Sequence, residues 1–279
     1  MFLRISAFSF SLYLLNGLFH LALAANVAGQ IELAVGEVKL ISDAGVERLP
    51  RVNDPVFERD TVLVGGEGEL HIRMEDQGFI AVRPNTKMRI DDYRAEGDEN
   101  DKSVITLLKG TFRSITGWIG IYNRNNYRIN TPTATLGIRG TDHEPLYIPQ
   151  PPPGEEPIGK PGTYDKVNTG STYMQNSYGK IDLQANQAGF VPHAGAEPPK
   201  VLAKIPSFFR QTKYEHLIEQ KKELLHDRME ERLQAKRRKA QPGSSHKESV
   251  EGETKNGNKS TGPKKDLRND NHGQRKERR

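Results

Sequence analysis

Three adjacent residues, Asp142, His143 and Glu144, carry the side chains that most readily suggest chemistry in this sequence. Carboxylates and imidazole serve as metal ligands and as general acids or bases. Neighbouring side chains on a strand point to opposite faces, so the three do not converge easily on one ion. Asp142 and Glu144 share a face, and we expect them to form structural ion pairs with Arg139 or Arg128. We therefore predict no metal ligand, no cofactor and no catalytic residue here.

The remaining candidates for chemistry are isolated. His71 lies on the polar side of an alternating strand and is expected to be solvated, and His193 has no partner that the sequence reveals. Residues 65–68, Gly-Gly-Glu-Gly, lack the strand-helix context of a phosphate loop and are interpreted as a hairpin turn. The chain has no cysteine, which excludes disulfides, thiolate metal sites and a cysteine nucleophile. An enzyme whose site is assembled from distant residues stays open as the alternative to a non-catalytic module.

The stretch from Tyr127 to Thr141 is expected to organise the chain. It alternates and is rich in β-branched residues, which predicts a pleated strand. Pro132 cannot donate to a ladder, so the strand is expected to begin at an edge or on entering a sheet. Gly137 and Gly140 bracket Arg139 closely, which indicates a bulge or a close approach of another backbone. We expect Arg139 to be held firmly there, so that replacing it lowers stability more than binding.

The body, residues 25–206, has the pattern of short strands separated by turn residues. Leu70, Ile72 and Met74 alternate with polar residues and form the clearest half-buried strand. Lys109-Gly110 is predicted to be a turn between two strands, the second of which runs from Phe112 to Trp118. Residues 149–162 are predicted to form a proline-rich loop. Turn signals recur about every ten residues, a spacing typical of many-stranded β folds. The pattern predicts an all-β fold, either a sandwich or roll or a short β-solenoid.

The character of the chain changes at residue 207. Apolar residues from Phe208 to Lys239 follow a helical period without proline or glycine, which predicts one long charged helix over residues 207–240 with coiled-coil character. Residues 241–279 have few large apolar side chains and are predicted to be a disordered basic tail. The basic residues of this tail are expected to form a solvated surface. The alternative is contact with an anionic surface such as lipid head groups or lipopolysaccharide, with nucleic acid the least expected polymer.

Residues 1–24 have the form of a secretory signal peptide. Arg4 precedes an apolar run, and small residues before Ala25 fit a signal-peptidase cut between Ala24 and Ala25. An uncleaved membrane anchor is the alternative, since about 20 apolar residues span a bilayer. Either reading predicts export to the periplasm or the cell envelope.

Several short motifs, taken in order, resemble the FecR-domain family of bacterial envelope proteins. They are Val56–Thr61, Met74–Gly78, Val82–Thr86, Leu108–Arg113, the pair Thr131-Pro132, and the run Gly137-Ile138-Arg139-Gly140-Thr141 followed by Asp142, which is similar to a subset with the sequence R-G-T-D-H-E. In the first motif Arg59 replaces the family's usual glycine. That turn is therefore expected to be made differently here.

The resemblance implies an all-β periplasmic module, from about Gly36 to Pro192, that binds an envelope protein or a cell-wall polymer. The best-known family member is a transmembrane relay that controls a sigma factor through a cytoplasmic segment. Here the predicted signal peptide stands where that segment would be, so the relay role is disfavoured. The expected function is non-catalytic binding or scaffolding in the envelope, with a part in envelope signalling.

Overall fold

The structure is a computed structural model that describes residues 26–240. The predicted signal peptide, with Ala24 and Ala25 at its cleavage site, and the predicted tail over residues 241–279 lie outside the described residues. Almost all of the described part falls within one compact unit that ends at Arg237.

Strands make up most of this unit. In chain order they are β1 (Val27–Val35), β2 (Val38–Ile41), β3 (Glu47–Arg48), β4 (Pro55–Phe57), β5 (Thr61–Val64), β6 (Glu69–Met74), β7 (Phe79–Val82), β8 (Thr86–Arg94), β9 (Lys102–Ile115), β10 (Tyr127–Asn130), β11 (Thr135–Ile138), β12 (Asp142–Ile148), β13 (Gly162–Thr169), β14 (Ser171–Asn176), β15 (Gly179–Gln184), β16 (Ala188–Pro192) and β17 (Lys200–Val201). The helices are α1 (Trp118–Tyr122) and α2 (Glu215–Ala240), and a short 3-10 turn covers Arg124–Asn126. The all-β prediction with one late helix is confirmed.

The strands form two sheets that share β9. The first sheet has the order β4-β1-β6-β7-β9-β12-β13-β16-β17. The second has the order β3-β2-β5-β8-β9-β10-β11-β14-β15, and its β9–β10 pair is parallel. All seventeen strands are thereby joined in one hydrogen-bonded system.

Strand β9 passes from one sheet to the other at Gly110. Its first half pairs with β8 and β10, and its second half pairs with β7 and β12. Gly110 has φ +83°, and a Cβ there would lie 2.7 Å from the Asn85 carbonyl oxygen, so only glycine fits this bend. The prediction of a turn at Lys109-Gly110 is wrong, because the glycine bends a continuous strand.

The main core lies between the two sheets. Leu70, Ile72 and Met74 of the first sheet join the same buried cluster as Met88 and Ile90 of the second. Each such side chain contributes about 1.5–3 kcal/mol when fully buried. The prediction of a strand that buries Leu70, Ile72 and Met74 is thus correct. Of the β folds that the sequence left open, the chain adopts the two-sheet sandwich.

Two local predictions are corrected by the fold. Tyr127–Thr141 is not one strand: β10 and β11 are antiparallel and are joined by a tight turn in which the Thr131 N–H donates to the Ala134 carbonyl at 2.9 Å. Pro132 lies inside that turn, where its missing N–H is not needed. The strand predicted to run to Trp118 ends at Ile115 and gives way to α1.

The long helix begins later than its apolar period predicts. Residues 207–214 are not helical, and α2 begins at Glu215. The Tyr214 N–H donates to the Thr212 hydroxyl at 3.3 Å, and the Thr212 N–H donates back to the Glu215 carboxylate at 3.3 Å. These two hydrogen bonds satisfy N–H groups at the start of the helix, much as a capping box does, and fix its first turn. Glu215 then lies against the outer face of the first sheet.

Candidate functional site

The predicted motif residues divide between the two sheets. Thr131, Pro132, Gly137 and Ile138 lie in or beside β10 and β11 of the second sheet, and Asp142 opens β12 of the first sheet. Arg139, Gly140 and Thr141 form the short link between the sheets. The motif therefore contributes residues to both sheets.

The Thr-Pro turn is tied firmly to the rest of the sandwich. The Thr131 hydroxyl accepts a hydrogen bond from the Ala134 N–H at 3.0 Å. The hydroxyls of Thr131 and Thr133 both lie 2.6 Å from the Thr163 hydroxyl, which is fully buried in β13 of the first sheet. A turn held in this way is a rigid rim for a binding surface.

An open groove of about 770 Å³ lies along this turn on the second sheet. Its lining is mainly neutral hydrogen-bonding side chains with one cation and one aromatic ring: Asn125, Arg128, Thr131, Thr133, Ala134, Thr135, Tyr173, Gln175, Asn176 and Ser177. A second depression of about 540 Å³, which shares Arg128, continues it with Asp92, Arg94, Glu99, Asn100, Lys102, Val104 and Asn126. Together they give an elongated polar surface rather than a closed apolar pocket.

Gly137 makes room for the aromatic ring of this groove. A Cβ at Gly137 would lie 2.0 Å from the Tyr173 ring, so the ring rests on the glycine of the neighbouring strand. Lys180 lies over the same ring, with its Nζ atom 3.9 Å from the ring centroid. The motif glycine thus sets the position of Tyr173, which the sequence analysis did not single out.

The glycines around Arg139 allow backbones to approach closely. Gly140 has φ +73°, and a Cβ on Gly170 would lie 2.1 Å from the Gly140 carbonyl oxygen. The Arg139 side chain is 46% exposed, and its guanidinium lies 3.6 Å from the carboxylate of Asp182, which is also exposed. Such a pair contributes little. The expectation that Arg139 is held firmly is not supported by these contacts; the glycines and the Arg139 backbone fix this link.

Asp142 lies in a packed ion pair on the first sheet. Its carboxylate accepts from Arg113 at 2.5 and 2.7 Å, from Lys222 at 2.8 Å and from Asn168 at 3.1 Å. Burial alone would raise the pKa of Asp142, but Arg113 first, and then Lys222 and Asn168, lower that pKa to about 2. A carboxylate with this pKa stays ionised and is a poor general acid or base at neutral pH.

Glu144 shares the face with Asp142, as predicted, and has its own cations. Its carboxylate lies 2.7 Å from Lys166 and 3.4 Å from Arg83, and it also accepts from Asn168 at 3.2 Å. The prediction that Arg139 or Arg128 neutralises this face is wrong. The true partners come from the corner after β7, from β9, from β13 and from α2, none of which adjoins the motif in sequence.

His143 points the opposite way, into the interior. Its Nδ1 atom lies 2.7 Å from the Asp165 carboxylate, whose other oxygen accepts from the Thr172 hydroxyl at 2.7 Å. All three residues are buried. This chain of polar contacts links β12 and β13 of the first sheet to β14 of the second. It therefore has a structural role.

His71 is buried rather than solvated, so that prediction is wrong. Its Nε2 atom lies 2.7 Å from Glu69, which also accepts from the Thr212 hydroxyl at 3.1 Å. Strand β6 does turn His71 away from the core, but the segment that leads into α2 covers it. This contact joins residues about 140 positions apart and leaves no signal in the local pattern.

Two other predicted features have simple structural positions. His193 has a partner, since its Nδ1 atom lies 2.8 Å from the Tyr147 hydroxyl. The Gly65–Gly68 turn leads from β5 of the second sheet to β6 of the first. It therefore connects the sheets and does not close a hairpin.

The Asp76 of the Met74–Gly78 motif is also structural. Its carboxylate accepts from the Gly78 N–H and the Tyr93 hydroxyl, both at 3.0 Å. Burial raises the pKa of Asp76, and these hydrogen bonds partly oppose the rise. Within residues 26–240, no three histidine, cysteine, aspartate or glutamate side chains gather to hold a metal ion.

The fold and these sites define an all-β sandwich with an open polar groove on one sheet and an ionic cluster on the other. Residues 60–146 match the family model described as FecR protein. The resemblance to this family that the motifs indicated is thereby confirmed for residues 60–146.

Solved structures with some likeness to this chain were also found. Two crystal structures, each described as "a putative anti-sigma factor from Parabacteroides distasonis ATCC 8503", are 14% and 12% identical, with TM-scores of 0.39 and 0.38. In both comparisons the match covers 52% of this chain and 59% of the other, which is less than two thirds of that protein. A third, described as "Cell surface anchoring domain", is 32% identical over 22% of this chain and 82% of its own, with a TM-score of 0.22. No curated protein matches the chain.

One finding bears on the membrane. None of the helices between residues 26 and 240 combines the length and the apolar character needed to cross a bilayer.

Proposed function

We propose that this protein is a non-catalytic module of the bacterial cell envelope that binds a cell-wall glycan along the groove of the second sheet. The observation that carries the proposal is the composition of that groove. Hydroxyl and amide groups both donate and accept hydrogen bonds, and they match the hydroxyl and acetamido groups of a sugar polymer. A drug-sized ligand would call for a largely apolar pocket.

The shape and the charge of the groove favour an extended, weakly anionic polymer. The two depressions adjoin at Arg128, so that a chain of several sugar units has continuous contacts. Arg128 supplies a guanidinium suited to a carboxylate of the wall polymer. The Tyr173 ring supplies an amphipathic surface for a sugar ring once Lys180 moves aside.

The packed state of Asp142 and Glu144 supports a binding module over an enzyme. A site for acid or base catalysis requires a carboxylate whose pKa lies near the working pH and which faces a cavity. Asp142 is instead saturated by Arg113, Lys222 and Asn168.

Co-sedimentation with purified peptidoglycan tests this proposal. Tyr173→Ala and Gln175→Glu alter the groove, whereas Gln184→Glu places the same charge change on the neighbouring strand β15 outside the groove. We expect each groove variant to weaken binding about tenfold, the effect of roughly 1.4 kcal/mol of lost contact, and the control to bind as the unaltered protein does. Equal binding by all three folded variants, or no binding by the unaltered protein, would refute the proposal.

A further inference from the structure

Helix α2 covers a patch on the outer side of the first sheet, which we call the covered face. The covered face consists of Phe79, Ala81, Arg83, Arg113 and Ile115, all buried. These residues belong to β7, the following corner and β9. They point away from the sandwich core, and the helix shields them from water.

The apolar contact between the helix and the covered face is separate from the main core. Ile218 and Leu225 pack with Phe79, Ala81 and Ile115 in a small cluster of their own. Among the described residues, the main core between the sheets ends in sequence at Val191. The sandwich therefore has a complete core of its own without α2.

Charge provides the rest of the attachment. Arg113 lies 2.5 Å from Glu215 and 2.7 Å from Glu219, which are one helical turn apart. Arg83 also contacts Glu215, at 3.2 Å. Without the helix, the Arg113 guanidinium would lose two carboxylates and the Arg83 guanidinium would lose one.

The contacting residues of α2 form a simple pattern. These residues occupy positions i, i+3, i+4, i+7 and i+10, so they lie on one side of the helix: Glu215, Ile218, Glu219, Lys222 and Leu225. The two glutamates meet Arg83 and Arg113, the lysine meets Asp142, and the two aliphatic residues meet the apolar part of the face. An unrelated helix with the same arrangement would satisfy the same groups.

We propose that the covered face is a docking site for an amphipathic helix of a partner protein, with two acidic residues one turn apart beside an aliphatic row, and that residues 212–228 occupy it as a displaceable internal ligand. Displacement is favoured because, among the described side chains of the helix, the attachment buries two aliphatic ones, Ile218 and Leu225. Its ion pairs lose much of their attraction to the cost of removing charges from water. Release of α2 should therefore cost less than unfolding the sandwich.

Thiol labelling of single-cysteine variants tests whether α2 opens by itself. The natural chain has no cysteine, and Ala81 beneath the helix and Ala28 in the main core are both 0% exposed. We expect the Ala81→Cys thiol to be labelled at least about tenfold faster than the Ala28→Cys thiol under native conditions, since local opening precedes global unfolding. Equal labelling rates would show that α2 opens only with the whole fold, and would overturn the proposal.

A synthetic peptide of residues 211–229 tests the docking chemistry. In the full chain with Ile218→Asp, which places a charge in the apolar contact, we expect the labelled peptide to bind at least about tenfold more tightly than to the unaltered chain. The same peptide with Glu215→Lys and Glu219→Lys should not bind. Equal binding to both chains, or binding that ignores the charge reversal, would contradict the proposal. The labelling experiment decides the matter if Ile218→Asp fails to fold.

Discussion

Asp142 shows how a residue that suggests chemistry is used for structure. It lies next to His143 in sequence, but the two side chains point to opposite sides of β12, as strand geometry requires. One carboxylate neutralises Arg113 and Lys222, and the imidazole contacts Asp165 on the inner side. The reading of this triplet as structural could be made from alternation alone.

We expect Asp142→Asn to lower the free energy of unfolding at pH 7 by about 2 kcal/mol, the equivalent of the lowered pKa. The folded pKa of about 2 lies below the ordinary value of 3.8, so this stabilisation is fully present above pH 4 and is lost as the pH falls towards 2. Urea unfolding of both proteins should therefore show a gap that closes over that range.

Asp182→Asn is the matched control for this change. Asp182 is exposed, and within the described residues its ion-pair partner is the exposed guanidinium of Arg139, so its replacement should alter stability by less than about 0.5 kcal/mol at any pH. A pH-independent gap for Asp142→Asn would show that its ion pair is not the source of the effect.

The ion-pair partners of Asp142 could not be identified from the sequence. Arg113 and Asp142 are 29 positions apart, and Glu215 lies a further 73 positions along the chain. Any of the 41 lysines and arginines was an available partner. Of the nearest ones, Arg128 lies on the second sheet and Arg139 in the link between the sheets. Proximity in sequence was therefore a misleading guide.

At the scale of single elements, the turn from Phe57 to Asp60 departs from expectation. The Asp60 N–H donates to the Phe57 carbonyl at 3.1 Å, and Arg59 has φ +68°. The third position of such a turn calls for a left-handed backbone, which glycine adopts without strain. The prediction that the turn is made differently is wrong: Arg59 adopts the strained conformation itself.

Arg59→Gly is expected to raise the free energy of unfolding by about 0.5–1 kcal/mol, because removing the Cβ relieves more strain than the added flexibility of the unfolded chain costs. The Arg59 side chain is 54% exposed, and its ion pairs at 3.5 and 3.8 Å are long, so little else is lost. Thermal and urea unfolding measure the change.

Arg59→Ala is the control, since it removes the same charge and keeps the Cβ. It should give no gain. If both variants changed stability equally, backbone strain would not be the cause.

Element types were easier to predict than element ends. The alternation of Leu70, Ile72 and Met74 identified β6 correctly, since the period of a strand is local. The start of α2 was missed although Thr212 and Glu215 have the T-x-x-E spacing of a capping box. That signal was present in the sequence and outweighs the apolar residues Phe208 and Phe209, which pack against the first sheet instead.

At the scale of the whole molecule, the sequence separates the helix from the body, but the structure packs the two together. Phe208 and Phe209 cover Tyr164 and its apolar neighbours, and Ile218 and Leu225 cover the face of β7 and β9. The predicted domain boundary after residue 206 follows the change in composition. The residues beyond that boundary nevertheless cover the outer side of the first sheet.

Two truncations test whether residues beyond 206 stabilise the sandwich. Removing residues 241–279 should leave the free energy of unfolding within about 0.5 kcal/mol, because their composition cannot support a core. Removing residues 207–279 should lower it by about 3–6 kcal/mol, because Ile218, Leu225 and the two phenylalanines no longer bury their faces. Urea unfolding of the three chains decides the point, and a harmless longer truncation would show that the helix adds nothing to the fold.

The sharing of β9 has a consequence for how the chain assembles. Strands β7 and β8 precede β9 and can pair with it at once, but β10 and β12 come later. Until residues 142–148 are in place, the far half of β9 keeps a row of unpaired N–H and C=O groups, which is a template for another chain. During biogenesis the hazard of aggregation should therefore be greatest in the interval between the emergence of β9 and the arrival of β12, and a chaperone that shields Gly110–Ile115 would act on that interval.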